Sequence, residues 1–126
     1  MKKIFIIIFS VLIVFSVFGF LWSQYIQKQK TEARANIDAT FNLIDVTKDY
    51  LDEFKSCLDV STYAKLNDGR QFMQANDIYD QSEKAFKDGE YSKAINLAHE
   101  SANLTTEFRN QFDTVVIPRK TANLCN

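Results

Sequence analysis

The sequence predicts an all-α protein in which an N-terminal transmembrane helix continues into an antiparallel three-helix bundle. Three observations lead to this prediction. The stretch 4–22 contains no charged residue, and as a helix it would be about 28 Å long, close to the hydrocarbon thickness of a bilayer. Apolar residues after it recur at spacings of three and four, which is the helical period. The chain has only 3 glycines and 1 proline, too few for the many tight turns of a β protein.

The first segment has the features of an uncleaved signal-anchor. Its apolar run is longer than the ~7–15 residues typical of a secretory signal peptide, and no small-x-small cleavage site follows it. A cleaved signal peptide is the alternative. Trp22 and Tyr25 lie where the aromatic belt of a membrane interface is expected. We therefore assign residues 1–25 to a transmembrane signal-anchor and 26–126 to a three-helix domain.

The charges on the two sides of the apolar run are nearly balanced, so the positive-inside rule gives little guidance on orientation. The Met-Lys-Lys start favours a cytoplasmic N-terminus, which makes the protein a single-pass protein of the cell membrane with an extracytoplasmic C-terminal domain. Without Lys2 and Lys3, 13 basic residues stand against 16 acidic residues, a net charge of −3. Binding to phosphates requires clustered positive charge, so we expect no nucleic-acid partner.

Apolar residues continue beyond the membrane segment at helical spacing. No glycine or proline occurs between Phe20 and Leu58, so nothing in this region interrupts a helix. We predict one long helix, with its first half in lipid and its second half amphipathic in water. The apolar row that defines its inner face consists of Ile26, Ala33, Ile37, Phe41, Ile44, Leu51, Phe54 and Leu58.

A second helix is predicted over 70–87. The sequence Asn67-Asp68-Gly69 is typical of a turn. Asp68 and Gln71 form a capping-box pattern, in which a side chain satisfies the free backbone amides at a helix start. Asp88-Gly89 is predicted to end this helix, because glycine readily adopts the left-handed conformation just past a helix.

A third amphipathic helix is predicted to start near Glu90 or Tyr91. Its apolar positions keep spacings of three and four as far as Val115. Pro118 is predicted to end it, because proline disfavours the α conformation at the residue before it. Short connections make consecutive helices antiparallel neighbours.

The two cysteines are predicted to meet at the membrane-distal end of this bundle. A disulfide between Cys57 and Cys125 would tie the C-terminal tail to the first helix and contribute roughly 3–5 kcal/mol in the chain-entropy model. It would require an oxidising compartment, in agreement with an extracytoplasmic domain. The alternative is that Cys57 is a small buried apolar residue and Cys125 a free thiol.

Residues Phe86–Leu104, with the sequence FKDGEYSKAINLAHESANL, resemble the middle of a tetratricopeptide repeat. In that family a Gly-x-Tyr turn joins two helices, and small residues follow where the helices pack closely. The residues at matching positions are Gly89, Tyr91, Ala94, Ala98 and Ser101. The resemblance covers one repeat, residues 71–104, and departs from the family at Gln81 and Ser82. It implies one helical hairpin packed on the first helix, because a single repeat cannot bury its own apolar face.

The sequence contains no pattern typical of catalysis, metal binding or phosphate binding. His99 is the only histidine, and no spacing gives it a catalytic or metal-binding partner. We therefore expect no enzymatic activity, no cofactor, no metal and no small-molecule substrate. The aromatic residues Phe72, Tyr79, Phe108 and Phe112 are candidate partner contacts if they form an uncovered patch. Alternatively they fill the core of the bundle.

These features favour a non-enzymatic accessory or scaffolding subunit of a larger membrane protein complex. Its expected partners are integral membrane subunits and the lipid bilayer. One alternative is a membrane-anchored ligand-binding or sensor ectodomain. A second alternative is a pilin-like subunit, since pilins also have a long helix that is half in the membrane.

Overall fold

The computed structural model describes residues 2–59, 61–62, 66, 70–123 and 125, and it is all-α over this part of the chain. Three helices make up the fold: α1 (Lys2–Phe54), α2 (Gln71–Lys87) and α3 (Tyr91–Thr121). A short 3₁₀ turn, Lys55–Cys57, follows α1. The predicted class, a long apolar N-terminal helix continuing into a three-helix bundle, is confirmed.

The first helix is continuous through its apolar and amphipathic halves. It has 53 residues, which corresponds to about 80 Å. Within the described chain, one helical stretch, Ile6–Cys57, which includes the 3₁₀ turn after α1, is long and apolar enough to cross a membrane. The most apolar part of this stretch is 0% buried by the rest of the chain. The single-helix prediction for this region is therefore confirmed as far as Phe54.

The bundle half of α1 packs against the α2–α3 hairpin through small side chains. In the cluster nearer the apolar segment, Ala33 and Ile37 of α1 meet Ala85 of α2 and Ala94 and Ala98 of α3. Alanines allow helix backbones to approach closely, because the distance between helix axes depends on the side chains at the contact. Larger, partly buried side chains close the edges of this cluster: Tyr79, Phe86, Tyr91, Ile95 and Leu97.

A second core cluster lies at the other end of the bundle and is richer in aromatic residues. Phe112 and Val116 of α3 pack there with Cys57 and Leu58. The Tyr50 ring meets Phe112 edge-on, with centroids 5.7 Å apart. The bundle therefore has a small-residue core at the end near the apolar segment and an aromatic core at the far end.

The end of α2 is as predicted. Gly89 has a φ of 80°, and the Glu90 N–H donates a hydrogen bond to the Ala85 carbonyl at 2.9 Å. This is the bond that closes a helix through a left-handed glycine. Asp68 and its neighbours in the Asn67-Asp68-Gly69 turn lie outside the described residues. Arg70, at the start of α2, has no side-chain capping bond.

The prediction that Pro118 ends α3 is wrong, because the helix continues to Thr121. A proline inside a helix loses one backbone hydrogen bond, and other contacts must compensate for that loss. The turn after Pro118 makes such contacts. Arg119 donates hydrogen bonds to the Cys57 carbonyl at 3.2 Å and to the Asp59 carboxylate at 2.9 Å. Lys120 lies over the Phe54 ring, 4.5 Å from its centroid.

Candidate interaction surface

Two of the four predicted partner contacts are core residues. Phe108 is 4% exposed and Phe112 is 1% exposed, so neither is available on the surface. Phe72 is half-buried and stacks on Phe108, with ring centroids 5.4 Å apart. Of the two alternatives for these residues, an uncovered patch or the bundle core, the core holds for Phe108 and Phe112.

Phe72 and these two rings line a cavity of about 160 Å³ between α1 and the hairpin. Its other lining residues in the described chain are Lys48, Leu51, Asp52 and Leu66. Small-molecule pockets usually enclose about 300–1,000 Å³. The cavity is too small to indicate a ligand site by its volume.

The fourth candidate, Tyr79, belongs to an exposed aromatic pair that the sequence did not predict. Phe41 is 51% exposed, and its ring centroid lies 6.0 Å from that of half-buried Tyr79. Phe41 was expected on the inner face of the first helix, and the structure corrects this. Thr40 occupies the inward position instead and is 3% exposed.

Charged side chains surround this pair. Arg34 lies 3.0 Å from the Asp38 carboxylate and 3.5 Å from that of Glu83. The Tyr79 hydroxyl donates a hydrogen bond to Glu83 at 3.2 Å. Burial, reinforced by the negative charge of Glu83 and this hydrogen bond, raises the pKa of Tyr79 to about 12, so the phenol is neutral at physiological pH.

We call this region the aromatic patch: Phe41 and Tyr79 with the rim residues Arg34, Asp38 and Glu83. An apolar centre with a polar rim is the common anatomy of a protein–protein interface. The patch has no nucleophile with an activating base beside it.

The predicted membrane-interface residues both lie on the part of α1 outside the bundle. Trp22 is 60% exposed and Tyr25 is 54% exposed, with ring centroids 6.2 Å apart. The Gln29 amide nitrogen donates a hydrogen bond to the Tyr25 hydroxyl at 2.7 Å. These two rings therefore mark the point where the apolar face gives way to polar side chains.

The two cysteines meet at the far end of the bundle, as the predicted topology requires. Their sulfur atoms are 2.07 Å apart, which is the distance of a disulfide bond. Beside them, Ser61 and Thr62 donate hydrogen bonds to Asp59. Those hydrogen bonds hold the pKa of Asp59 well below its usual range, and the positive charge of Arg119 makes a smaller contribution in the same direction.

His99 lies on the outside of the bundle. One of its ring nitrogens is 2.6 Å from the side-chain oxygen of Asn36, which ties α3 to α1. Within the described residues, no group of three or more His, Cys, Asp or Glu side chains is placed to hold a metal ion.

Comparison with protein-family models, curated proteins and solved structures gives no match to this chain. The likeness of residues 71–104 to a tetratricopeptide repeat therefore stays a prediction from the residues themselves.

Proposed function

We propose that this protein is a non-enzymatic, single-pass accessory subunit that scaffolds a larger membrane protein complex. The observation that supports this most is the continuity of α1. Its exposed apolar half and the wall of the bundle belong to one 53-residue helix. An unbroken helix fixes both the height and the direction of whatever it carries, so the bundle would stand on the membrane as a rigid post.

The aromatic patch supports a protein partner for this post. Phe41 is 16 residues beyond Tyr25 on the same helix, which puts it about 24 Å further from the apolar segment. A partner that reaches the patch would be the extramembrane part of another membrane subunit. The apolar segment of α1 would pack beside the transmembrane helices of the same subunit.

The proposed orientation has the N-terminus in the cytoplasm and the bundle outside it, in the cell membrane. The position of the two sulfur atoms supports this, because disulfides persist in oxidising compartments and are rare in the cytosol. The hairpin would act as a single repeat-like unit packed on α1, since Ala94 and Ala98 meet Ala33 there.

Site-specific photo-crosslinking in the native membrane tests the proposal. A crosslinking amino acid at position 41 should give one defined adduct with a larger membrane subunit. The same amino acid at position 117 is the matched control, because Ile117 is 56% exposed but lies at the far end of α3. We expect no such adduct from it.

A charge substitution provides a second test of the proposal. Phe41→Arg should release the chain from the complex in mild detergent, whereas Ile117→Arg should not, and both should keep the wild-type circular dichroism. A lone wild-type monomer whose melting temperature rises with small molecules would overturn the proposal in favour of a ligand-binding ectodomain.

A further inference from the structure

The α2–α3 turn lies beside the first polar turns of α1. Phe86, at the end of α2, lines an open groove of about 610 Å³ together with residues of the α1 stretch Gln27–Asp38. The Arg34 guanidinium lies 5.9 Å from the centre of the Phe86 ring. The turn is therefore the part of the hairpin nearest to the apolar segment.

The height of this turn matches the headgroup layer of a bilayer. Lys30 lines the same groove as Phe86 and is five residues after Tyr25, a rise of about 7.5 Å. The headgroup layer on each side of the hydrocarbon is about 5–8 Å thick. With Tyr25 at the edge of the hydrocarbon, lysine side chains on the turn reach the lipid phosphates.

Positive charge is concentrated at this end of the bundle. Residues 27–38 of α1 and 83–93 around the turn include six basic and five acidic residues, a local charge of +1, while the rest of the domain has 7 basic and 11 acidic residues, or −4. The basic residues are Lys28, Lys30, Arg34, Lys84, Lys87 and Lys93, and the acidic ones are Glu32, Asp38, Glu83, Asp88 and Glu90.

Four of these basic residues are free to bind an external anion. Arg34 is paired with Asp38 and Glu83, and Lys93 with Glu90. The other four are exposed and have no carboxylate within 4.0 Å among the described residues. They are Lys28, Lys30, Lys84 and Lys87.

We propose that the α2–α3 turn docks on anionic phospholipid headgroups of the leaflet from which α1 emerges. Lys84 and Lys87 contact the phosphates from the hairpin, while Lys28 and Lys30 do so from α1. This inference rests on the proposed membrane span of α1. Each lysine near an anionic membrane surface strengthens binding about fivefold, so two lysines are enough to pin the turn.

Hydrogen–deuterium exchange on the full-length chain in lipid nanodiscs tests this. Amides of 84–91 should exchange several-fold more slowly in equal parts of phosphatidylcholine and phosphatidylglycerol than in phosphatidylcholine alone. The difference should disappear in high salt and in the double variant Lys84→Gln/Lys87→Gln. It should return in Lys84→Arg/Lys87→Arg. Lys48→Gln/Lys120→Gln, with the same charge change away from the turn, should behave as wild type.

Equal exchange in the two lipids would overturn the inference. Slow exchange that depends on Lys84 and Lys87 but not on lipid charge would also overturn it, and would point to an acidic protein surface as the occupant. Resistance of the chain to alkaline extraction from vesicles tests the membrane span separately. If the chain resists extraction but exchange at the turn does not depend on lipid charge, only this inference is contradicted. If the chain is extracted, the proposed function is contradicted.

Discussion

The hydroxyl oxygen of Thr40 lies 3.1 Å from the carbonyl oxygen of Ala98, to which it donates a hydrogen bond across the α1–α3 interface. The same hydroxyl lies 2.8 Å from the Asn36 carbonyl of its own helix. Two turns further along α1, Thr47 is 0% exposed, and its hydroxyl has no hydrogen-bond partner among the described residues. One helix thus carries two buried threonines, of which one is satisfied and one is not.

This difference predicts opposite effects of the same substitution. Thr40→Val leaves the core shape unchanged but removes a buried hydrogen bond, so it should lower the free energy of unfolding by about 1–2 kcal/mol. Thr47→Val replaces an unsatisfied hydroxyl with a methyl group and should raise that free energy by up to about 1 kcal/mol. Urea unfolding followed by circular dichroism measures both. A loss of stability in Thr47→Val would contradict the conclusion that the Thr47 hydroxyl is unsatisfied.

The close approach of α1 and α3 predicts that Ala98 cannot be enlarged. Ala98 is 0% exposed and packs in the small-residue core with Ala33 and Ile37. Ala98→Leu should cost about 1–3 kcal/mol of stability, because the helices must move apart. Ala102→Leu on the same helix is the control, since Ala102 is only half-buried and its substitution should change stability by less than about 0.5 kcal/mol. Equal costs at the two positions would show that the interface is loosely packed.

The sulfur pair predicts a redox-dependent stability. Cys57 and Cys125 are 68 residues apart in sequence, and closing a loop of that length stabilises the fold by about 4 kcal/mol in the chain-entropy model. Reductant should lower the unfolding midpoint of the wild type and leave Cys125→Ser unaffected. Intact-mass measurement after alkylation checks the bond directly. A wild type that is fully alkylated without reductant would contradict it.

Asp59 predicts an acid-dependent loss of stability. Its folded pKa is lowered by hydrogen bonds from Ser61 and Thr62. A lowered folded pKa contributes stability that is complete above the unfolded pKa of about 3.9 and is lost as the pH falls below it. Between about pH 5 and pH 2, the wild type should therefore lose more of its unfolding free energy than Asp59→Asn. If the unfolding free energies of the two proteins changed in parallel with pH, the lowered pKa of Asp59 would be contradicted.

Continuity of α1 predicts that its middle turn controls the position of the bundle. Gln29→Pro removes a backbone hydrogen bond and kinks the helix, at a cost of about 3 kcal/mol. Energy transfer from a fluorescent amino acid at exposed position 73 to acceptor lipids should then show a broad range of efficiencies. Gln29→Ala should keep the narrow range of the wild type. A narrow range in Gln29→Pro would mean that the helix does not set the height of the bundle.

The sequence predicted the helices well because local chemistry determines them. Gly89 ends α2 through its own left-handed conformation, which needs no tertiary information. Pro118 misled the prediction because the contacts that carry α3 past it come from Cys57 and Asp59, about 60 residues earlier in the chain.

The candidate site was harder to predict because it depends on lateral packing. Neighbouring residues on a helix differ by about 100° in direction, so the apolar row of α1 could not decide whether Thr40 or Phe41 faces the hairpin. The hydrogen bond from Thr40 to the Ala98 carbonyl shows that Thr40 faces the hairpin. Phe112 was considered both as a surface contact and as a core residue, and its packing with Cys57 and Leu58, which are distant in sequence, places it in the core.

The sulfur pair also determines how the molecule would carry mechanical load. With that bond made, tension applied at the C-terminal end passes through Cys125 directly to Cys57, three residues beyond the end of α1. From there it runs down the long helix toward the apolar segment. The α2–α3 hairpin lies off this path, so a pull between the C-terminal end and the membrane would strain α1 before it could unfold the hairpin.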